Sequence, residues 1–111
     1  MTDLASQECK PIPKGTPSLG REQATKLLQE LPDWELTHSA STISREFRFK
    51  DFHQTMAFVN AVAWIAHQTD HHPDLEVGYN RCKVSFSTHS IGGLSKNDFT
   101  CAARINSLGG L

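Results

Sequence analysis

Residues 51–69 form the longest stretch of this chain with apolar side chains at helical spacing. A helix of this length would span roughly 28 Å, which is enough to cross a four-stranded sheet. The apolar side chains cover a wide arc, so we expect this helix to lie in the core. One stripe is formed by Phe52, Met56, Val59, Ala63 and Ala66, and it is widened by Phe58, Val62 and Ile65.

Both ends of this helix carry signals in the sequence. Asp51 is a good N-cap, and Gln54 three residues later completes the pattern of a capping box. Pro73 disfavours helical torsions at His72, so the helix should end near Asp70. The sequence therefore predicts a helix that begins and ends at defined residues.

Similar patterns predict the other elements. Apolar residues at helical spacing predict a short first helix from Arg21 to Pro32. A last helix should begin at the capping box formed by Ser95 and Asp98, and Gly109 and Gly110 would stop it. Alternating apolar residues predict strands near residues 34–37, 42–49, 75–77 and 83–88. The order α-β-β-α-β-β-α predicts an α+β, two-layer fold, with a four-stranded, mainly antiparallel sheet and three helices on one face.

The beginning of the chain has a different composition from the rest. Residues 1–17 contain three prolines and few large apolar side chains, which bury too little surface to offset the entropy of ordering the chain. We therefore expect a flexible N-terminal tail over residues 1–17 and a single domain over residues 18–111. A chain of 111 residues has the length of one domain.

Charge and cysteine content limit the kinds of partner and compartment. Eleven basic and twelve acidic residues give a net charge of −1. A chain with this charge has no electrostatic attraction for nucleic acid or an anionic membrane, so we expect a small ligand. The three cysteines form no C-x-x-C pair. Together with the lack of an apolar run long enough for export or membrane spanning, they predict a reduced, cytoplasmic protein.

Histidines are concentrated just after the long helix. His67, Asp70, His71 and His72 lie within six residues, and strand alternation places His89 at the polar end of the last strand. These residues could hold zinc or iron, but Pro73 should disrupt the geometry, so we expect no metal. Two interpretations stay open. The histidines either stabilise the C-terminus of the helix or form an acid–base site in which pairs of them transfer protons.

Other residues have structural explanations of their own. Asp98 is accounted for by its place in the capping box, and Trp34 and Tyr79 are typical core or loop-anchoring aromatics. Taken alone, none of the three predicts a functional site.

Considered together, these residues resemble the signature of the pterin-4a-carbinolamine dehydratase family. The resemblance covers about residues 19–108, through Trp34, residues 47–52, Asp70-His71-His72-Pro73, Tyr79, Ser87-Thr88-His89, Gly93-Leu94-Ser95 and Asp98. It implies the same order of helices and strands that the apolar periodicity predicts. His67 departs from the animal proteins, which carry Glu at this position.

The resemblance implies removal of water from 4a-hydroxytetrahydropterin to give the quinonoid dihydropterin, in the recycling of the pterin for an aromatic amino acid hydroxylase. One acid and one base suffice for this reaction, so no metal or organic cofactor is expected and the pterin is the substrate. The implied catalytic residues are His71 and His89 for proton transfer, His72 for positioning, and Asp98 for orienting a histidine. The implied substrate-binding residues are Trp34, Asp70, His71, His72, Pro73, Ser87, Thr88, His89 and Ser90.

The resemblance also implies a homodimer or homotetramer, joined through exposed strand edges. An alternative function on the same fold is that of a protein-interaction module, either a dimerisation cofactor or an assembly factor. The intact histidines favour the enzyme.

Overall fold

The computed structural model describes residues 3–108 and confirms the predicted order of elements. The helices are α1 (Arg21–Leu28), α2 (Phe52–Thr69) and α3 (Lys96–Asn106). The strands are β1 (Glu35–Thr37), β2 (Thr42–Arg48), β3 (Asp74–Val77) and β4 (Arg81–Phe86). Short 3₁₀ turns occur at Leu4–Ser6 and His89–Ile91.

The four strands form one antiparallel sheet in the order β1-β2-β4-β3. Side chains alternate along β4 as predicted, with Cys82, Val84 and Phe86 buried. Opposite them on β2, Ile43 pairs with Phe86 and Phe47 with Cys82. All three helices contribute to the single core over this face of the sheet, which confirms the two-layer α+β prediction.

Helix α2 begins and ends where the sequence predicts. The Asp51 carboxylate accepts a hydrogen bond from the backbone N–H of Gln54 at 2.9 Å. The Gln54 side chain, however, accepts from the backbone N–H of Lys50 rather than from that of Asp51. The helix ends at Asp70, which adopts a left-handed conformation with φ of 52° and turns the chain towards His71.

The buried face of α2 differs from the predicted stripe. It is centred on Phe58, Val62 and Ile65, which lie among the core side chains, whereas Ala63 is exposed and Phe52 is 49% exposed. Phe52 lies in the first turn of the helix, where its ring stacks on that of the exposed Tyr79. The predicted stripe was therefore rotated away from the face that packs on the sheet.

The N-terminal segment lies against α3, where the sequence predicted a flexible tail. Leu4 is 3% exposed and belongs to the core. The Asn97 side chain bonds both the N–H and the C=O of Lys10, and Arg104 donates to the backbone carbonyl of Gln7 at 2.7 Å. Side chains of α3 thus satisfy the backbone of a segment that has little regular structure. The division at residue 17 stays a prediction.

The predicted stop of the last helix at Gly109-Gly110 lies outside the described residues, and α3 ends at Asn106. Across residues 3–108, none of the helices combines the length and hydropathy that crossing a membrane requires.

Candidate active site

Three elements bring the candidate residues together. The left-handed turn at Asp70 directs the chain from the end of α2 to His71. The imidazole of His71 lies parallel to the ring of Phe86, with 5.9 Å between their centres, and only 13% of the side chain is exposed. Thr88 follows β4, and Asp98 lies in the first turn of α3. The core therefore fixes the imidazole at the junction of α2, β4 and α3.

Asp98 is fully buried and its carboxylate accepts three hydrogen bonds. The donors are His71 Nε2 at 2.5 Å, Thr88 Oγ1 at 2.8 Å and the backbone N–H of Ser95 at 2.9 Å. Since Thr88 has one hydroxyl proton to give, Ser95 Oγ donates to Thr88 Oγ1 at 2.7 Å. The three hydrogen bonds hold this carboxylate in one orientation at the start of α3.

The environment of His71 has opposing effects on its pKa. Burial alone would lower the pKa, because it disfavours the charged imidazolium. The hydrogen bond and the negative charge of Asp98, with smaller contributions from Cys9 and Asp70, outweigh this and raise the pKa above 6.5. The imidazole is therefore held near the pH range in which it can both give and accept a proton.

His71 opens onto a cleft of about 240 Å³. The cleft is lined by residues 9–12, residues 69–71, Thr88, Ser90 and Asn97. Asp70, His71, Thr88 and Ser90 are among the substrate-binding residues that the sequence predicts. Sequence reasoning missed residues 9–12, Thr69 and Asn97, because the contact of the N-terminal segment with α3 joins residues 87 positions apart and leaves no local pattern.

The other predicted histidines are more exposed. His89 is exposed, on the polar side as predicted, but it lies in the 3₁₀ turn after β4, because the strand ends at Phe86. It directly follows Thr88, which is bonded to Asp98, and so belongs to the same corner of the fold. His72 is exposed, and Pro73 is half-buried beside it. Ser87, at the end of β4, is half-buried and lies outside the lining of the cleft.

Trp34 lies in the core and does not line this cleft. It is 4% exposed, packs on Phe47 and Phe86, and donates its indole N–H to Asn106 at 2.9 Å. Phe86 contacts both the indole of Trp34 and the imidazole of His71. Contact of Trp34 with the substrate stays a prediction.

Two further features of the described residues bear on the site. Within residues 3–108, no group of three or more His, Cys, Asp or Glu side chains is placed to hold a metal ion. A larger groove of about 600 Å³ lies between residues 7–19 and residues 95–97, and no histidine lines it. The cleft beside His71 is therefore the better candidate for proton-transfer chemistry.

Comparisons with known proteins agree with this arrangement. Residues 17–108 match the family described as pterin 4 alpha carbinolamine dehydratase. Proteins that carry the pterin-4-alpha-carbinolamine dehydratase name include one from Nitrosospira multiformis, 55% identical over 96% of this chain and 92% of its own length. One from Nitrosomonas eutropha is 56% identical over 96% of this chain and 93% of its own length.

Two solved structures share the fold. A protein from Brucella melitensis, described as a transcriptional coactivator/pterin dehydratase, has a TM-score of 0.77 and 32% identity, and the alignment covers 81% of this chain and 96% of that one. A pterin dehydratase-like protein described as a RuBisCO assembly factor has a TM-score of 0.60 and 22% identity, over 68% of this chain and 87% of that one. The second likeness concerns the fold alone.

The fold and the site define a small α+β protein with a buried carboxylate-histidine pair at the edge of a cleft. The chain belongs to the pterin-4a-carbinolamine dehydratase family, since the family match covers most of its length and relatives more than half identical cover nearly all of it. The predicted family and the predicted enzyme class, a hydro-lyase, are confirmed.

Proposed function

We propose that this chain dehydrates 4a-hydroxytetrahydropterin to the quinonoid dihydropterin by histidine general acid–base catalysis. The observation that carries the proposal is the buried Asp98 carboxylate 2.5 Å from His71 Nε2, at a cleft open to a small ligand. The reaction needs a proton delivered to the leaving hydroxide and a proton taken from a ring nitrogen, and one acid and one base can carry out both transfers. Neither step requires a metal or an organic cofactor.

In this mechanism His71 exchanges its proton through Nδ1. In this proposal Nε2 donates its hydrogen bond to the Asp98 carboxylate, so Nδ1 is the ring nitrogen that remains for the substrate. When Nδ1 takes a proton, the Asp98 charge stabilises the imidazolium, and the parallel ring of Phe86 keeps the imidazole in one plane. Asp98 is thus a positioning residue that also sets the proton affinity of His71.

His89 is the second proton-transfer group in this proposal. Its neighbours support the role, because Thr88 is bonded to Asp98 and Ser90 lines the cleft. The side chain is exposed, so it can reach a ligand without leaving a packed position. We assign His72, exposed next to His71, to positioning the substrate, together with Asp70, Pro73, Ser87, Thr88 and Ser90 along the pteridine edge.

The assay that tests the proposal follows dehydration of freshly generated carbinolamine by the purified full chain. We expect His71→Ala to lower kcat by about 10²- to 10⁴-fold, the usual contribution of one general acid or base. The matched control is His53→Ala, which changes an exposed histidine at the opposite end of α2. Equal kcat for His71→Ala, His53→Ala and the wild type would refute the mechanism.

We also propose that the chain self-associates through β3. Within the described part of the chain, this strand pairs with β4 on one side and forms an edge of the sheet, and Val77 on it is 43% exposed. An exposed edge strand favours pairing with a second copy. Sedimentation should show a dimer or tetramer that Val77→Lys weakens; a monomeric wild type would contradict this.

The second candidate function is a protein-interaction module. It is favoured by the likeness to the Brucella protein described as a transcriptional coactivator/pterin dehydratase. A stable protein partner recovered together with an absence of turnover would favour this function over the enzyme. We rank the enzyme first because His71 and Asp98 are paired. We propose that its reaction is one step in tetrahydropterin recycling for an aromatic amino acid hydroxylase. Cytoplasmic location stays a prediction.

A further inference from the structure

Two of the three cysteines lie next to each other beside the cleft. Cys9, on the N-terminal segment, has its Sγ 3.6 Å from the Sγ of Cys101 on α3, although the two residues are 92 positions apart. Both are free thiols, as is Cys82. The acid–base mechanism uses neither Cys9 nor Cys101, so their proximity needs a separate explanation.

We propose that Cys9 and Cys101 form a reversible disulfide in response to a peroxide, fastening the N-terminal segment to α3. A disulfide has an S–S bond of about 2.0 Å, so the two sulfurs must approach by roughly 1.5 Å. Cys9 is on a segment without regular structure, which can supply this movement, whereas Cys101 is held in a helix.

The two thiols differ in access. Cys9 is half-buried and lines the cleft, so a molecule as small as hydrogen peroxide can reach its sulfur. Cys101 is 0% exposed and lies behind it. Cys9 is therefore the residue that reacts first, and Cys101 is the one that resolves the product.

The charges around Cys9 favour the reactive thiolate. The hydrogen bond from Cys101 lowers the pKa of Cys9 to about 7, burial opposes this, and the positive charges of His71 and Arg104 add to the lowering. The pKa of Cys101 is raised, by the bond to Cys9 and by burial. At neutral pH a large fraction of Cys9, the accessible cysteine, is therefore thiolate, while Cys101 stays a thiol.

The chemistry balances with hydrogen peroxide as the oxidant. The Cys9 thiolate attacks one peroxide oxygen, the O–O bond breaks, and the departing hydroxide takes a proton to become water. The resulting sulfenic acid is attacked by Cys101 sulfur, the S–O bond breaks, and the Cys101 proton leaves with hydroxide as a second water. Two thiols are oxidised and one peroxide is reduced to two waters.

Cys82 provides an internal control. It is 0% exposed in the sheet, and burial raises its pKa, so it should resist the same treatment. Within the described residues it is bonded to no other cysteine.

The experiment treats the reduced full chain with stoichiometric hydrogen peroxide, alkylates the remaining thiols and maps the peptides by mass spectrometry. We expect one intrachain link between Cys9 and Cys101, alkylated Cys82, and full reversal by a thiol reductant. Cys9→Ser and Cys101→Ser should each abolish the link. The proposal would be overturned if Cys9 were overoxidised while Cys101 remained a free thiol. It would also be overturned if disulfide links formed only between chains.

A second measurement does not depend on peptide mapping. Closing a loop of this length restricts the unfolded chain, so the oxidised wild type should melt at a higher temperature than the reduced wild type. Oxidised and reduced Cys9→Ser should melt together. Neither measurement depends on turnover. A missing disulfide would therefore not count against the proposed dehydratase activity, and an inactive protein would not count against the disulfide.

Discussion

The imidazole of His71 and the carboxylate of Asp98 are joined by a 2.5 Å contact although 27 residues separate them in the chain. The contact ties the end of α2 to the start of α3. It gives Asp98 two functions, since the same carboxylate accepts from the backbone N–H of Ser95 and so caps α3. The capping of α3 and, in the proposed mechanism, proton transfer therefore depend on the same buried carboxylate.

Asp98→Asn should lower the pKa of His71. The substitution keeps the size of the side chain but removes the charge that raises this pKa, while the burial that lowers it remains. NMR titration of the imidazole resonances in the two proteins measures the shift directly. We also expect kcat to fall about 10- to 100-fold, as for other residues that orient a catalytic group. A variant with reduced kcat and an unchanged His71 pKa would contradict this role.

Stability should depend on pH through the same pair. In the folded state the pKa of His71 is raised above its ordinary value of 6.5. Protonation of His71 therefore stabilises the fold, and this stabilisation is complete below pH 6.5. It is lost as the pH rises through the pKa of the folded state. Urea unfolding of the wild type and of Asp98→Asn should differ more at about pH 6 than at about pH 8. A difference that is constant or grows with pH would show that Asp98 does not bias the protonation of His71.

His89→Ala should lower kcat about 10²- to 10⁴-fold without a change in melting temperature. The side chain is exposed, so its removal leaves no cavity in the core. Steady-state kinetics and a thermal melt, with His53→Ala as the matched exposed control, measure both quantities. If kcat is retained, His71 acts with a different second group.

Trp34→Phe tests whether this tryptophan is structural. The change removes the indole N–H that bonds Asn106 and part of a ring packed on Phe47 and Phe86. We expect a loss of about 1–3 kcal/mol in the free energy of unfolding, since the smaller ring makes fewer contacts in the core and one hydrogen bond to Asn106 is lost. KM for the pterin should stay the same. A raised KM at unchanged stability would show instead that Trp34 contributes to substrate binding.

Local patterns in the sequence predicted much of the fold. The N-cap at Asp51, the stop before Pro73 and the alternation of Cys82, Val84 and Phe86 each depend on residues close together in the chain. Such signals survive because hydrogen bonding at helix ends and the pleat of a strand are local effects. The resemblance to the family added that Asp98 orients a histidine, and the structure pairs this carboxylate with His71.

The contacts that the sequence did not predict depend on tertiary structure. Periodicity showed that α2 is apolar, yet the orientation of its buried face depends on the sheet, which leaves Phe52 exposed. The N-terminal segment has the composition of a disordered tail, but Leu4 reaches the core and Asn97 bonds the backbone of Lys10. No pattern within residues 1–17 carries that information, because the partners lie on α3.

A crystal structure of the protein bound to a dihydropterin tests the central claim most directly. The account predicts that the pteridine ring occupies the cleft of about 240 Å³, with Nδ1 of His71 within hydrogen-bonding distance of the ring. A ring bound instead in the larger groove between residues 7–19 and 95–97, out of reach of His71, would contradict it.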